Sequence, residues 1–213
     1  MGSDGRSRLP VEQRRAQLLT LGQRLFSERP FGEISVDEIA EAAGISKGLL
    51  YHYFPSKREL YIACVRCAAQ AIVDASDPPR ELAPKQRLAA SLDAFMDHVE
   101  ANFLSFAYLL QGGANGDPDL DRVLMDMRKG FIDRTARDLG IDRPSTSTRM
   151  CLLGYVGFAS YTCMTWARAP RVGRKAIRHM LFRALGSAVE TAMDLAEGPE
   201  RQRLSNALTL FEQ

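Results

Sequence analysis

No uninterrupted apolar run in this chain approaches the roughly 18 residues of a membrane-spanning helix, and residues 1–10 are polar, without the apolar centre of a signal peptide. The expected location is therefore the cytoplasm. Strand-like alternation is scarce, which argues against a sheet. Cysteine is scarce too: Cys64, Cys67, Cys151 and Cys163 do not make a disulfide framework and are expected as reduced thiols in helices. Cys64 and Cys67 lack a second pair at ligand spacing, and His52, His98 and His179 are scattered, so no metal site is expected. There is no phosphate-cradling glycine loop, nucleophile elbow or paired-carboxylate motif. The chain is accordingly read as not an enzyme and as needing no cofactor.

An excess of one charge is missing as well, since 28 Lys and Arg against 26 Asp and Glu leave a formal net charge of +2. Composition alone thus announces no nucleic-acid binder. The distribution says more. Residues 43–58 carry Lys47, Lys57 and Arg58 with His52 and no acid, while Glu33, Asp37, Glu38 and Glu41 stand just before.

What is present is helical periodicity. Hydrophobic residues make up 46% of the chain and recur at three- and four-residue steps almost everywhere after Pro10. The expected class is all-α. A first helix opens at Pro10 and carries Leu18, Leu21, Leu25 and Phe26 on one face until Pro30 stops it. Two Ser-x-x-Glu boxes, Ser35 with Glu38 and Ser56 with Glu59, mark further helix starts. The first starts a short helix with Val36, Ile39, Ala40 and Ala43 inward, ended by Gly44; Ser46 caps a third helix through Phe54. After a break at Asp77-Pro78-Pro79 come longer amphipathic segments, among them 120–139, 145–168 and 171–197, and a short helix after Gly198-Pro199.

The spacing of the second and third helices is specific. Ala40 is small where the two must cross, Gly44 makes the turn, and Leu50 plugs the core shared with Ile39 and Ile45. That pattern describes a helix-turn-helix. With Leu50 and Phe54 inward, Lys47, Gly48, Leu49, Tyr51, His52 and Tyr53 are left to face a groove or its walls. Lys47 can pair a phosphate or a guanine edge, Gly48 permits close backbone approach, and Leu49 can touch a thymine methyl. Tyr51, His52 and Tyr53 can donate to phosphates, while Ser35, Ser46 and Lys57 at helix starts hold the DNA backbone. Plainer roles stay open: the serines would cap helices in any protein, Lys57 could be a solvated charge, and Tyr51 and Tyr53 could be half-buried aromatics.

The run Ser35-Val36-Asp37-Glu38-Ile39-Ala40-Glu41-Ala42-Ala43-Gly44-Ile45-Ser46-Lys47-Gly48, followed by Leu49-Leu50-Tyr51-His52-Tyr53-Phe54-Pro55-Ser56-Lys57, resembles the amino-terminal signature of the tetracycline-repressor (TetR) family. The match is close over about residues 14–62, with Pro30 standing where the family often has glycine. The resemblance implies a DNA-binding regulator, most often a repressor released from a palindromic operator by a small effector. It divides the chain into a tail (1–10), a helix-turn-helix domain (11–55) and an effector-binding and dimerisation domain (56–213). It also implies a homodimer paired through two long helices, here about 145–168 and 171–197. The first of these is apolar on most of its circumference, as a helix covered on several sides must be.

An effector pocket, likewise implied by the resemblance, would draw on Phe95, Met96, Val99, Phe103, Phe106, Tyr108, Met125, Phe131, Tyr155, Phe158, Tyr161 and Trp166, with Asn102, Gln111 or Arg128 as polar contacts. Such residues make adaptable pocket walls and equally make ordinary cores. They favour an apolar or aromatic effector. The basic run Arg168, Arg171, Arg174, Lys175 and Arg178 is read as solvated charge at a helix connection. Two other functions remain open: a DNA-binding regulator with no small ligand, and a helical ligand-binding protein.

Overall fold

The structure is a computed structural model and describes residues 10–103, 106–107, 110 and 117–212. Of the expected tail only Pro10 is described, and Tyr108 and Gln111 lie outside the described residues. Regular structure among the described residues is helical, and the chain divides into two compact units between Ala68 and Ala69.

In the first unit, α1 (Val11–Glu28) follows Pro10, α2 (Val36–Ala42) is capped by Ser35 and α3 (Lys47–Tyr53) by Ser46. Each serine oxygen accepts from the backbone N–H three residues on, at 3.1 and 3.2 Å, and so satisfies a donor the helix start leaves free. The expected box at Ser35 is only half made, because the Glu38 carboxylate pairs with Arg29 rather than turning back to the cap. Gly44, at φ 63°, ends α2: its N–H donates to Glu41 O and that of Ile45 to Ala40 O, the two bonds of a Schellman turn. A side chain at that φ would be strained.

The unit's core comprises Leu18, Phe26, Ile34, Ile39, Ala40, Leu50 and Phe54, and it takes in Leu60 and Cys64 of α4 (Lys57–Ala75). The first compact unit consequently reaches past residue 55 to Ala68. Helices α1 and α4 approach so closely at Gly22 that a Cβ there would lie 2.7 Å from Cys64 Sγ.

The second unit contains α5 (Pro84–Ala101), α6 (Pro118–Asp138), α7 (Thr146–Arg168), α8 (Arg174–Leu195) and α9 (Gly198–Leu208). Asp117 caps α6 and Ser145 caps α7. Helices α7 and α8 pack along one another, and α9 folds back so that Leu204, Ala207 and Phe211 join Leu152, Leu185 and Val189 in the core. The cations read as solvated are partly engaged: Arg174 pairs with Asp97 at 2.6 Å and with Glu100, and Arg178 with Asp93 at 2.6 Å, tying α8 to α5.

Candidate nucleic-acid interface and internal cavity

Helix α3 offers one face to its own unit and the other to solvent. Leu50 and Phe54 are buried, and Arg15 of α1 lies over the Phe54 ring, 5.0 Å from its centroid. Burying a leucine of this kind contributes about 1.5–3 kcal/mol, which holds the reading helix in a fixed phase. Lys47, Gly48, Leu49, Tyr51 and His52 are exposed on the far side, and beyond its chain neighbours and the helix's own backbone no described atom lies within 4 Å of a Cβ placed on Gly48. Tyr53 is half-buried against the core and stacks edge-on with His52, ring centroids 5.4 Å apart, so its ring has packing work besides any contact outside.

Two lysines have partners that the sequence did not announce. Lys47 Nζ donates to Asp37 Oδ2 at 3.0 Å, and this hydrogen bond, then the charge of Asp37, raise the lysine pKa above its ordinary value. The residues are ten apart, which no helical spacing rule pairs. Lys57 Nζ lies 4.1 Å from the centre of the Phe31 ring and donates to Phe31 O at 2.9 Å and Ile34 O at 2.8 Å. Two of its three donors thus fasten the loop between α1 and α2, instead of standing free as a solvated charge. Arg15 and Asp37 are additions to the sequence reading; proximity in the fold, not pattern, reveals them.

Within the second unit, a cavity of about 50 Å³ is bounded by Leu88, Leu92 and Phe95 of α5, Phe131, Thr135 and Asp138 of α6, Tyr155, Val156 and Ser160 of α7, and Leu185 of α8. Of the expected pocket residues that are described, only Phe95, Phe131 and Tyr155 line it. Met96, Val99 and Phe106 are fully buried core, and Phe103 is half-buried beside them in sequence. Met125, Phe158 and Tyr161 face outward, 53%, 44% and 67% exposed. Arg128 lies with Met125 along a shallow surface groove. Trp166 is buried, with its indole N–H donating to Val172 O at 2.8 Å.

Sequence reasoning missed the cavity's polar wall. Asp138 stands three residues beyond Thr135 and seven beyond Phe131 on the inward stripe of α6, and an acid at such a position was the available signal. Among the described residues no group of three or more metal-ligating side chains occurs, and no helix is long and apolar enough to cross a membrane.

A helix-turn-helix with an exposed, acid-poor second helix, followed by an α-helical unit with a small, half-open cavity, is the arrangement of a DNA-binding transcriptional regulator. A model of bacterial regulatory proteins of the tetR family matches residues 18–64, and one of the tetracyclin repressor-like C-terminal domain matches residues 84–188. The transcriptional activator FasR of Mycolicibacterium smegmatis is 28% identical over 171 residues, covering 78% of this chain and 77% of FasR. The repressor KstR2 of Mycobacterium tuberculosis is 46% identical over 50 residues, only 25% of its length. A crystal structure of a tetR-family regulator from Streptomyces coelicolor superposes with a TM-score of 0.79 at 27% identity, covering 94% of this chain and 90% of that one. The chain belongs to the TetR family of transcriptional regulators, and it is not an enzyme.

Proposed function

We propose that the protein is a cytoplasmic homodimer that reads a palindromic operator with α3 and loosens its hold when a small, largely apolar or aromatic effector enters the second unit. The observation that carries the reading is the outer face of α3. Lys47, Leu49, Tyr51 and His52 project from a helix whose inner side is locked by Leu50, and Gly48 leaves the backbone bare between them. Lys47, Tyr51 and His52 supply phosphate or base-edge donors, Leu49 a methyl contact, and the start of α3 at Ser46 a capped backbone terminus for a phosphate. Tyr53 adds its hydroxyl from the edge of the core. The Ser35 cap sets the start of α2, and Lys57, through Phe31 and Ile34, positions the loop before it rather than reading bases.

Pairing is assigned to α7 and α8. Met150, 64% exposed, shares a stripe of α7 with Phe158 and Tyr161, and no atom beyond the helix's own backbone approaches a Cβ placed on Gly154 or Gly157 between them. Met180 and Leu195 are similarly exposed on α8. An apolar face of that kind belongs against a second copy. Two-fold pairing would set the reading helices about 34 Å apart, or at a longer multiple of the helical repeat.

Repression is the polarity proposed; activation is the second reading, favoured because the relative matched along most of its length is named an activator. Selection of bound sequences from random DNA tests the main proposal. An enriched inverted repeat is expected, lost with Tyr51→Ala. Enrichment of nothing, or of a site indifferent to that substitution, would sink it. An in vivo reporter carrying the selected operator then reads the polarity.

A further inference from the structure

The cavity of the second unit has one unbalanced wall. Asp138 is 7% exposed and lies at the end of α6 among Leu92, Phe131 and Tyr155. Its Oδ1 receives Arg87 Nε at 2.8 Å and Nη2 at 2.7 Å. Its Oδ2 is shut off from solvent and has no hydrogen-bond partner among the described residues. A buried carboxylate oxygen calls for a hydrogen-bond donor, and nearly every such atom in native proteins has one.

We propose that Asp138 Oδ2 is the acceptor for the hydrogen-bond donor of a small amphipathic ligand, an uncharged hydroxyl-bearing head on an apolar or aromatic body. The assignment rests on reading this unit as effector-binding and names the chemistry it selects. Three features set the class. The rest of the wall is mainly apolar, so the body of the ligand must be too. The Asp138 charge is already met by Arg87, so a cation would bring an uncompensated charge into the interior. A carboxylate would set its own lone pairs against those of Oδ2 and is rejected on both counts.

At about 50 Å³ the cavity holds only a few heavy atoms as it stands, and a ring enters by displacing side chains. Phe131 and Tyr155 are the half-buried aromatic side chains of the cavity wall. Occupancy is also felt beyond the cavity. Arg87 Nη1 donates to Pro79 O at 3.1 Å, and Ser91, on the same wall, donates to Ser76 O at 2.8 Å. A ligand drawing on Asp138 therefore shares a carboxylate with the arginine that holds the segment after α4.

Calorimetric titration of the full chain with benzyl alcohol, toluene and benzoate tests this directly, the three probes sharing one ring and differing in the head. Benzyl alcohol is expected to bind at least about tenfold more tightly than either other probe, the smallest effect expected of a hydrogen bond to an ionised acceptor. A smaller preference, preference for benzoate, or no binding of the alcohol up to its solubility overturns the assignment. Ala159 also lines the cavity, and Ala159→Leu, which would fill it, should abolish alcohol binding while the circular dichroism melt stays cooperative; binding that survives is elsewhere and overturns it as well. Asp138→Asn should erase the preference for the alcohol over toluene, and the wild-type series decides if that variant does not fold. The broader effector reading fails separately, since a cell extract that releases operator DNA upholds it even where benzyl alcohol does not bind.

Discussion

Lys47 sits at the tip of the reading helix with Asp37 already on its ammonium, so a DNA phosphate must compete with a carboxylate. Asp37→Ala should then tighten operator binding, about twofold to fivefold as suits an exposed pair. Lys47→Ala should weaken binding to all sequences alike and flatten the salt dependence by roughly one unit of log–log slope. Fluorescence anisotropy across a salt series measures both, and an Asp37→Ala protein that binds no better would refute the competition. Because Asp37 raises the Lys47 pKa, the ammonium stays charged well into alkaline solution, and the pH profile of binding should hold no Lys47 step near neutrality. Cysteine reactivity follows the same local logic. Burial pushes the thiols of Cys64 and Cys163 up to about 12, leaving almost no thiolate at neutral pH, whereas Cys67 is exposed. Peptide mass mapping after brief iodoacetamide treatment should find Cys67 modified, and Cys64 and Cys163 only after unfolding.

At the scale of elements, the crossing of α1 and α4 has almost no slack. Gly22→Ala would drive a methyl into Cys64 Sγ, at a cost of about 1–3 kcal/mol, and Cys64→Ala in the same chain should recover much of it. Urea denaturation of the two single variants and the double gives the coupling; additive losses would show that the helices can simply part. The helix-turn-helix was legible from sequence because its determinants are local: Ser35, Ser46 and Gly44 each act within a few residues. The phase of α7 was not. A helix apolar nearly all round carries no periodic mark separating Tyr155, which lines the cavity, from Phe158 and Tyr161, which face out. Arg87 and Asp138 meet across 51 residues of sequence, and no spacing rule joins them. Lys57 was equally opaque, since its acceptors are backbone carbonyls, which every residue possesses.

For the whole molecule, the outward stripe of α7 decides the oligomeric state if the proposed pairing holds. Met150→Glu together with Tyr161→Glu should yield a monomer by analytical ultracentrifugation while leaving the fold intact, as both side chains are mostly exposed in the single chain. Operator affinity should fall by orders of magnitude, because each half-site would then bind alone. A dimer that survives both charges would move the interface elsewhere.

Trp166 is the chain's single tryptophan, and its indole is buried beside the turn into α8 with its N–H on Val172 O. The protein therefore carries one tryptophan fluorophore, confined to the second unit and selectable above its six tyrosines by excitation near the red edge of their absorption. Its emission should be blue-shifted in the native state and move red only when the joint between α7 and α8 opens. Tryptophan emission will accordingly follow that unit alone, whereas far-ultraviolet dichroism sums the helices of both. In a urea titration, two curves that separate would reveal a helix-turn-helix that melts on its own.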